Sequence, residues 1–387
     1  MQIRLATWNI EHFNALFTAD NQPTPPDPDK ETRYRVTAQE QLDAVALVIQ
    51  EIDPDILLVI EAPGTTTSGT RDTVTALKNF AADRNLRCSD AAIGFNSSGQ
   101  QEIALMFDPA KVTVAHDPAG KPLAMTEAAL RDLSTEERAQ QLPLALDTLR
   151  GRKIDTAPRF DTVYPFDSED DRLLEIYQFT RPPFEARIGL LDGGTEVFTF
   201  RMIGAHVKSK GVFDVSDELR DEIKDLSNRR RILAESQWIR DRVDEYLDDG
   251  EPVVVAGDFN DGPGLDFYER RFGRSGVELT AGVLGDPDRI LRTQTLKPKW
   301  SGSSGWTPAT ASFYQRDTGK FLNALIDFIL VSERIYRLAD PASDPWRIWN
   351  PFRPRSAFED QPELKAALKD ASDHFPVTFD FEVSGSA

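Results

Sequence analysis

The polar residues best suited to chemistry share one placement: they sit at the end of an apolar run, or inside one. The stretch Pro252-Val-Val-Val-Ala-Gly-Asp-Phe-Asn-Asp-Gly-Pro-Gly264 sets the pattern. Three β-branched residues and an alanine read as a buried strand, and Asp258 and Asn260 leave it with matching parity while Phe259 points the other way. Gly257, Gly262 and Gly264 permit a tight turn there. Taken alone, Asp258 is explained equally well by turn chemistry and by catalysis.

Other runs end in the same way. Asn9 closes the alternating stretch from Ile3, with Glu11 and His12 directly behind it, and by itself it reads as a turn residue. Glu61 closes the wholly apolar Ile56–Ile60, where a carboxylate needs either a divalent metal or an arginine as partner. His206 and Lys208 share a parity at the end of the strand beginning at Met202, whereas Lys210 is explained as a surface lysine. Asp327 interrupts the apolar Leu325–Val331 and requires a hydrogen-bonded or charged partner. Asp373 and His374 immediately precede a final strand in which Val377, Phe379, Phe381 and Val383 alternate with polar residues. Only four histidines occur in 387 residues, and two of them fall in this set. Carboxylate, amide and imidazole without a suitable thiol favour Mg²⁺ or Mn²⁺ over Zn²⁺. Such a set, with cations beside it, suits hydrolysis of a phosphate ester.

The elements that must position these residues alternate in type. Helical spacing runs from Thr37 to Ile52, from Asp72 to Arg84, and through the charge-dense Asp217–Leu247, whose Arg229-Arg230-Arg231 run is expected to put at least two arginines in solvent. Ile176–Phe200 reads as a hairpin turning at Asp192-Gly193-Gly194, and it contains Thr180-Arg181-Pro182-Pro183. Residues 109–175 mix helical patterns with Pro-containing and acidic segments, as expected of a surface insertion within a single domain spanning 1–387. Residues 265–320 read as loop-rich, with Ser301–Gly305 as a flexible element, and 341–371 as rich in proline and charge.

Composition limits the class. Hydrophobic residues make up 40% and charged residues 28%, so the chain is globular. A formal charge of −19 argues against a purely electrostatic DNA binder but not against an enzyme holding divalent metal in an acidic pocket. A single cysteine, Cys88, permits no internal disulfide. The N-terminal residues lack an apolar secretion segment, and no run reaches the length of a membrane span. These features predict a cytoplasmic protein without membrane association.

Six segments in order carry a resemblance across nearly the whole chain: Thr7-Trp-Asn-Ile10, Val59-Ile-Glu61, His206-Val-Lys-Ser209, Gly257-Asp-Phe-Asn260, Ile326-Asp-Phe-Ile329 and Ser372-Asp-His-Phe-Pro-Val377. Each is weak alone. Together they resemble the endonuclease/exonuclease/phosphatase superfamily, in its bacterial nuclease-like members. The resemblance implies an α/β (α+β) fold, a four-layer α/β/β/α sandwich of two mixed β-sheets with helices outside. It further implies Mg²⁺-dependent phosphodiester hydrolysis, with Mn²⁺ as a substitute, by metal-assisted in-line attack of water. Under it Glu61 resembles the principal metal ligand, with Asn9 and Asp373 nearby. Asp258 and Asn260 orient the water or the phosphate, His374 stands at the reaction centre with Asp327 fixing its tautomer, and His206 donates to a phosphate oxygen. Asp258 and His374 both stand as candidate general bases, and either one or two metals fit.

Arg181 and Lys208 resemble the substrate-phosphate contacts of nuclease branches, which favours a DNA or RNA endonuclease or exonuclease. The alternatives are a phosphatase or phospholipase acting on inositol phosphate or sphingomyelin-like headgroups, a small phosphate ester as substrate, and a catalytically silent binding protein on the same fold.

Overall fold

Two β-sheets, stacked face to face, form the body of the protein in the computed structural model, which describes residues 1–27, 31–33, 35–66, 71–97, 101–121, 156–167, 174–210, 218–264, 270, 273–282, 285–294, 308–315, 319–352 and 358–384. The first sheet has six strands, in the order Trp346–Ile348, Val377–Glu382, Gln2–Asn9, Ile56–Pro63, Gln101–Phe107, Asp90–Ile93. The second has five, in the order Asp327–Val331, Val253–Asp258, Thr195–His206, Phe184–Asp192, Val112–His116. Both are mixed, because Gln2–Asn9 runs parallel to Ile56–Pro63 and Thr195–His206 runs parallel to Val253–Asp258.

The alternation of strand side chains produces the layers. Leu5, Leu58 and Leu105 of the first sheet meet Ile188, Met202, Val254 and Ile329 of the second in an apolar layer between the sheets. The opposite parity of the first sheet, with Trp8, Val59 and Met106, packs against Leu42, Val45, Phe80 and Leu368 of the helices Ala38–Ile52, Thr73–Asp83 and Pro362–Asp370. On the far side, Ile203, Val255 and Leu330 pack against Trp238, Ile239 and Val243 of the long helix Glu218–Asp248. The result is the four-layer sandwich expected. Each large side chain so buried contributes roughly 1.5–3 kcal/mol.

Four strands carry the inward parity to one end of the sandwich. Leu5 is followed on its face by Thr7 and Asn9, Met202 by Gly204 and His206, Val254 by Ala256 and Asp258, and Ile329 is preceded by Asp327. The inter-sheet layer is therefore apolar along its length and turns polar where these strands stop. Helix Ala38–Ile52 helps fix that end. It starts at a capping box between Thr37 and Glu40. Its buried Gln41 amide donates to the carbonyl oxygens of Glu11 (2.7 Å) and Ala371 (2.9 Å), tying together the two loops beside Asn9 and Asp373.

Several expectations about the connections need correction. Residues 122–155 and 168–173 of the expected insertion lie outside the described residues. Of its described parts, Val112–His116 is an edge strand of the second sheet, Tyr164–Asp167 pairs with Leu174–Tyr177 in a separate two-stranded sheet, and Phe160 and Tyr164 are buried against Trp238. Polar and proline-containing surroundings hid those short apolar patches. Thr195–His206 is one continuous strand, so no break precedes Met202. Residues 341–371 contribute the edge strand Trp346–Ile348 and the helix Pro362–Asp370. The element Ser301–Gly305 lies outside the described residues. Among the described residues no helix is long and apolar enough to cross a membrane.

Candidate active site

Strand register lines up three of the expected residues. His206 pairs with Asp258, and Asp258 with Asp327, on three adjacent strands of the second sheet. Gly257 makes the middle of this row possible. Its φ is 135°, and a Cβ there would lie 1.9 Å from the carbonyl oxygen of Ala205. Two carboxylates facing each other across neighbouring strands repel. The repulsion is answered from the other sheet, where the loop before Val377–Glu382 inserts His374. Its Nδ1 lies 2.9 and 3.1 Å from the two Asp327 oxygens. An ionised carboxylate only accepts, so Nδ1 carries the proton and Nε2 is the imidazole atom left for the cleft.

The backbone around His374 is tightly held. The Trp8 indole donates to the His374 carbonyl oxygen (3.0 Å), and Ser372 Oγ accepts from the amides of Glu11 and His374, both at 3.1 Å. Ser372 Oγ in turn donates to the Asn9 carbonyl oxygen (2.7 Å). Thr310 Oγ1 accepts from the Ile326 and Asp327 amides, and the Phe375 amide donates to the Thr310 carbonyl oxygen.

Asp258 is clasped from both sheets. Asn9 Nδ2 donates to its Oδ2 (3.0 Å), the Asn260 amide donates to its Oδ1 (2.8 Å), and Asn260 Nδ2 donates to the Val207 carbonyl oxygen (2.9 Å). Asn260 adopts φ 50°, a left-handed conformation that asparagine tolerates. Glu61 is the sharper case, with φ 64° where the register against Gln101–Phe107 shifts. A non-glycine residue held there stores on the order of 1–3 kcal/mol. The strand does not end at Glu61, as expected from the sequence; it continues to Pro63, and the irregularity turns the carboxylate toward the cleft.

Nine of the ten expected residues line one cleft of about 1320 Å³: Asn9, Glu61, Arg181, His206, Lys208, Asp258, Asn260, Asp373 and His374. Asp327 is buried behind His374 instead. The first sheet contributes the acidic wall and the second the cations and His206. Burial is the largest influence on Asp258 and, together with the charge of Asp327, pushes it up to about 7. Burial also dominates at Asp373, which rises to about 6 with Glu11 and Glu61 adding to the effect. At His374 burial opposes the cation, but Asp327, Asp258 and Asp373 outweigh it and push the imidazole up to about 10. Burial, with Arg181 and His374 nearby, drives His206 well below its ordinary value, so its ring is neutral at pH 7.

Two places at the cleft gather metal-ligand donor types. Asp258, Asp327 and His374 place ligand-type atoms within 4.8 Å of one another. That cluster is already satisfied internally, because the His374 ring serves Asp327 while Asn9 and Asn260 serve Asp258. The all-oxygen set Asn9, Glu61 and Asp373 is different, since Asn9 Oδ1 is buried and has no hydrogen-bond partner. An orphaned amide oxygen in a cleft shared with two carboxylates fits a hard divalent cation.

Sequence reasoning missed several residues of this region. Gln101 lines the cleft and accepts from Arg181 Nη1 (2.8 Å). Phe313 and Leu322 come from the hairpin Ala311–Gln315/Lys320–Ala324, and Phe313 packs edge-on against His374. Glu235 is a buried acid on the long helix, with no local signal in a charge-dense segment. The expectation that at least two of Arg229–Arg231 face solvent fails: Arg229 is buried and the other two are half-buried. Helical charge density had suggested a solvated face, but this face of the helix packs beside the cleft.

Residues 193–374, which carry His206, Asp258, Asn260, Asp327 and His374, match the model of the Endonuclease/Exonuclease/phosphatase family. That stretch of the chain is similar to the family, whose members are generally metal-dependent hydrolases of phosphate esters. No curated protein matches the chain. Similar solved structures include truncated Caenorhabditis elegans TDP2, at 13% identity over 99% of this chain and 98% of that one, with a TM-score of 0.46. The human Nocturnin catalytic domain is 14% identical over 99% and 95% of the two chains, with a TM-score of 0.41. SmcL is 14% identical over 99% of each chain, with a TM-score of 0.42.

Proposed function

We propose that the protein is a Mg²⁺- or Mn²⁺-dependent phosphodiesterase that cleaves nucleic acid. The observation that carries this reading is the clasp of Asp258 by Asn9 and Asn260, in one cleft with His374 and its buried partner Asp327. Asn9, Glu61 and Asp373 would hold the cation, which when bound supplies Lewis-acid stabilisation of charge on the phosphate. Asp258, fixed by neutral amide donors, orients the attacking water and takes its proton. His374 Nε2 donates to a phosphate oxygen, with Asp327 holding the ring and stabilising its charge. His206 adds a neutral N–H donor beside Asp258, its Nε2 lying 3.6 Å from Oδ2.

Arg181 and Lys208 on the cleft wall supply the charge to bind a phosphate backbone, and Phe313 and Leu322 add an apolar wall of the kind on which a nucleobase stacks. A second reading, hydrolysis of a lipid or inositol phosphate headgroup, draws on the same hairpin, whose Tyr314 and Phe321 are 59% and 63% exposed.

A panel of single- and double-stranded DNA, RNA, inositol phosphates and sphingomyelin, each with Mg²⁺ or Mn²⁺, separates the readings. Cleavage of a polynucleotide is the expected result. Turnover of headgroups alone would replace the nuclease reading with the second. No turnover of any substrate would favour a silent binding protein.

A further inference from the structure

Two cations of the cleft, Arg181 and Lys208, come from different segments, and neither segment is a regular strand where the cation sits. Arg181 lies in 178–183, between the strands Leu174–Tyr177 and Phe184–Asp192, and Lys208 follows the end of Thr195–His206. Loop cations on long side chains do not converge on one anion without support. The support visible here comes from the long helix. Arg231 Nε donates to Glu235 Oε1 at 2.9 Å, one turn on along the helix. Arg231 Nη2 reaches across to the Gln178 carbonyl oxygen and to Thr180 Oγ1, the latter at 2.9 Å. Glu235, 2% exposed, accepts the Lys208 backbone amide through Oε2 at 2.8 Å. One ion pair thus grips the segment bearing Arg181 with one member and the segment bearing Lys208 with the other.

We propose that Arg231 and Glu235 are positioning residues that set Arg181 and Lys208 against the same substrate phosphate. The inference rests on the phosphodiesterase reading and adds to it the device that shapes the cationic wall. Neither member of the pair lines the cleft, so both act through the residues they hold. Glu235 carries a further consequence. It places a negative charge behind Arg181, Lys208 and Arg231, which offsets their mutual repulsion and lets the cations stay close without substrate.

A double-mutant cycle in steady-state kinetics on a phosphodiester tests this, with inorganic phosphate as competitive inhibitor. Arg231→Ala is expected to raise KM and the phosphate inhibition constant about tenfold, with kcat within about twofold. The double variant Arg181→Ala/Arg231→Ala is expected to be no worse than Arg181→Ala alone, because Arg231 has nothing left there to position. Additive losses would overturn the proposal, since they would make Arg231 an independent charge. Arg231→Lys, which reaches fewer of the partners, should fall between wild type and Arg231→Ala.

Hydrogen exchange of Glu235→Ala adds a readout that needs no turnover: the Lys208 amide should lose protection while the strand Val253–Asp258 keeps its own. Unchanged protection at Lys208 would overturn the role of Glu235. A wild type that neither turns over a phosphodiester nor binds phosphate would overturn the phosphodiesterase reading itself, and the inference with it.

Discussion

Asn9 and Asp258 belong to different sheets, and a 3.0 Å hydrogen bond joins them at the polar end of the sandwich. The bond is buried, with Asn9 3% and Asp258 1% exposed. It serves stability and geometry at once, because it leaves the buried Oδ1 of the same amide without a hydrogen-bond partner, as the proposed cation site requires. Asn9→Ala should therefore destabilise the fold by about 1–3 kcal/mol, the cost of leaving a buried acceptor short of a donor. It should also lower turnover at least about a hundredfold. Denaturant titration and steady-state kinetics on the same variant check both parts; a stable, fully active variant would remove Asn9 from the site.

Asp327 offers a cleaner separation of chemistry from folding. Asp327→Asn preserves shape but replaces the carboxylate behind His374 with an amide that no longer fixes Nδ1–H against an anion. The expected loss in kcat is about 10²–10⁴, with a melting temperature close to wild type. His374→Ala should fall at least as far. Near-normal rates in either variant would sink the assignment of the His374–Asp327 pair.

Metal dependence is tested by removal. Excess chelator should lower turnover at least about a hundredfold, with recovery on adding Mg²⁺ or Mn²⁺. Thermal denaturation should show the cation raising the melting temperature of the wild type but not of Glu61→Gln. Full turnover in chelator would exclude the metal.

Glu61 also makes an opposing prediction for stability and activity. Its φ of 64° is strained for glutamate and unstrained for glycine. In metal-free buffer Glu61→Gly should match or exceed wild-type stability, by about 1 kcal/mol, while losing turnover. Gly257→Ala should do the reverse of stabilising: its Cβ would strike the Ala205 carbonyl oxygen, and a loss above about 3 kcal/mol is expected. Melting temperatures of the two variants, measured side by side, decide the point.

Cys88 gives a pH-dependent reporter of folding. Burial pushes its thiol up to about 12. The thiolate is the reactive form, so alkylation of the native protein at pH 8 should be limited by opening of the fold, and addition of denaturant should accelerate it sharply. The sign for stability follows from the raised value. Any contribution from the protonated thiol is complete below the unfolded pKa of about 8.5 and is lost as pH rises through about 12. Rapid labelling of the native state at pH 8 would contradict this burial.

Much of the site was legible in the primary structure because a strand has period two. Asn9, His206 and Asp258 each continue the parity of an apolar run, so the face each occupies on its own strand followed from spacing alone. The helices Ala38–Ile52 and Thr73–Asp83 were legible for a like reason, through their 3.6-residue spacing. What spacing does not encode is which sheet each strand joins, or what lies across the gap. The bond from Asn9 to Asp258 links residues 249 apart, and the contact of His374 with Asp327 links residues 47 apart through different sheets. The left-handed turn of Glu61, the burial of Asp327 behind His374, and the grip of Arg231 and Glu235 on two separate segments likewise arose only when the layers packed. Local sequence determined the kinds of group present and the faces they occupy. Tertiary packing decided which of them meet, because distances between strands and helices are set by the whole apolar core and not by neighbours along the chain.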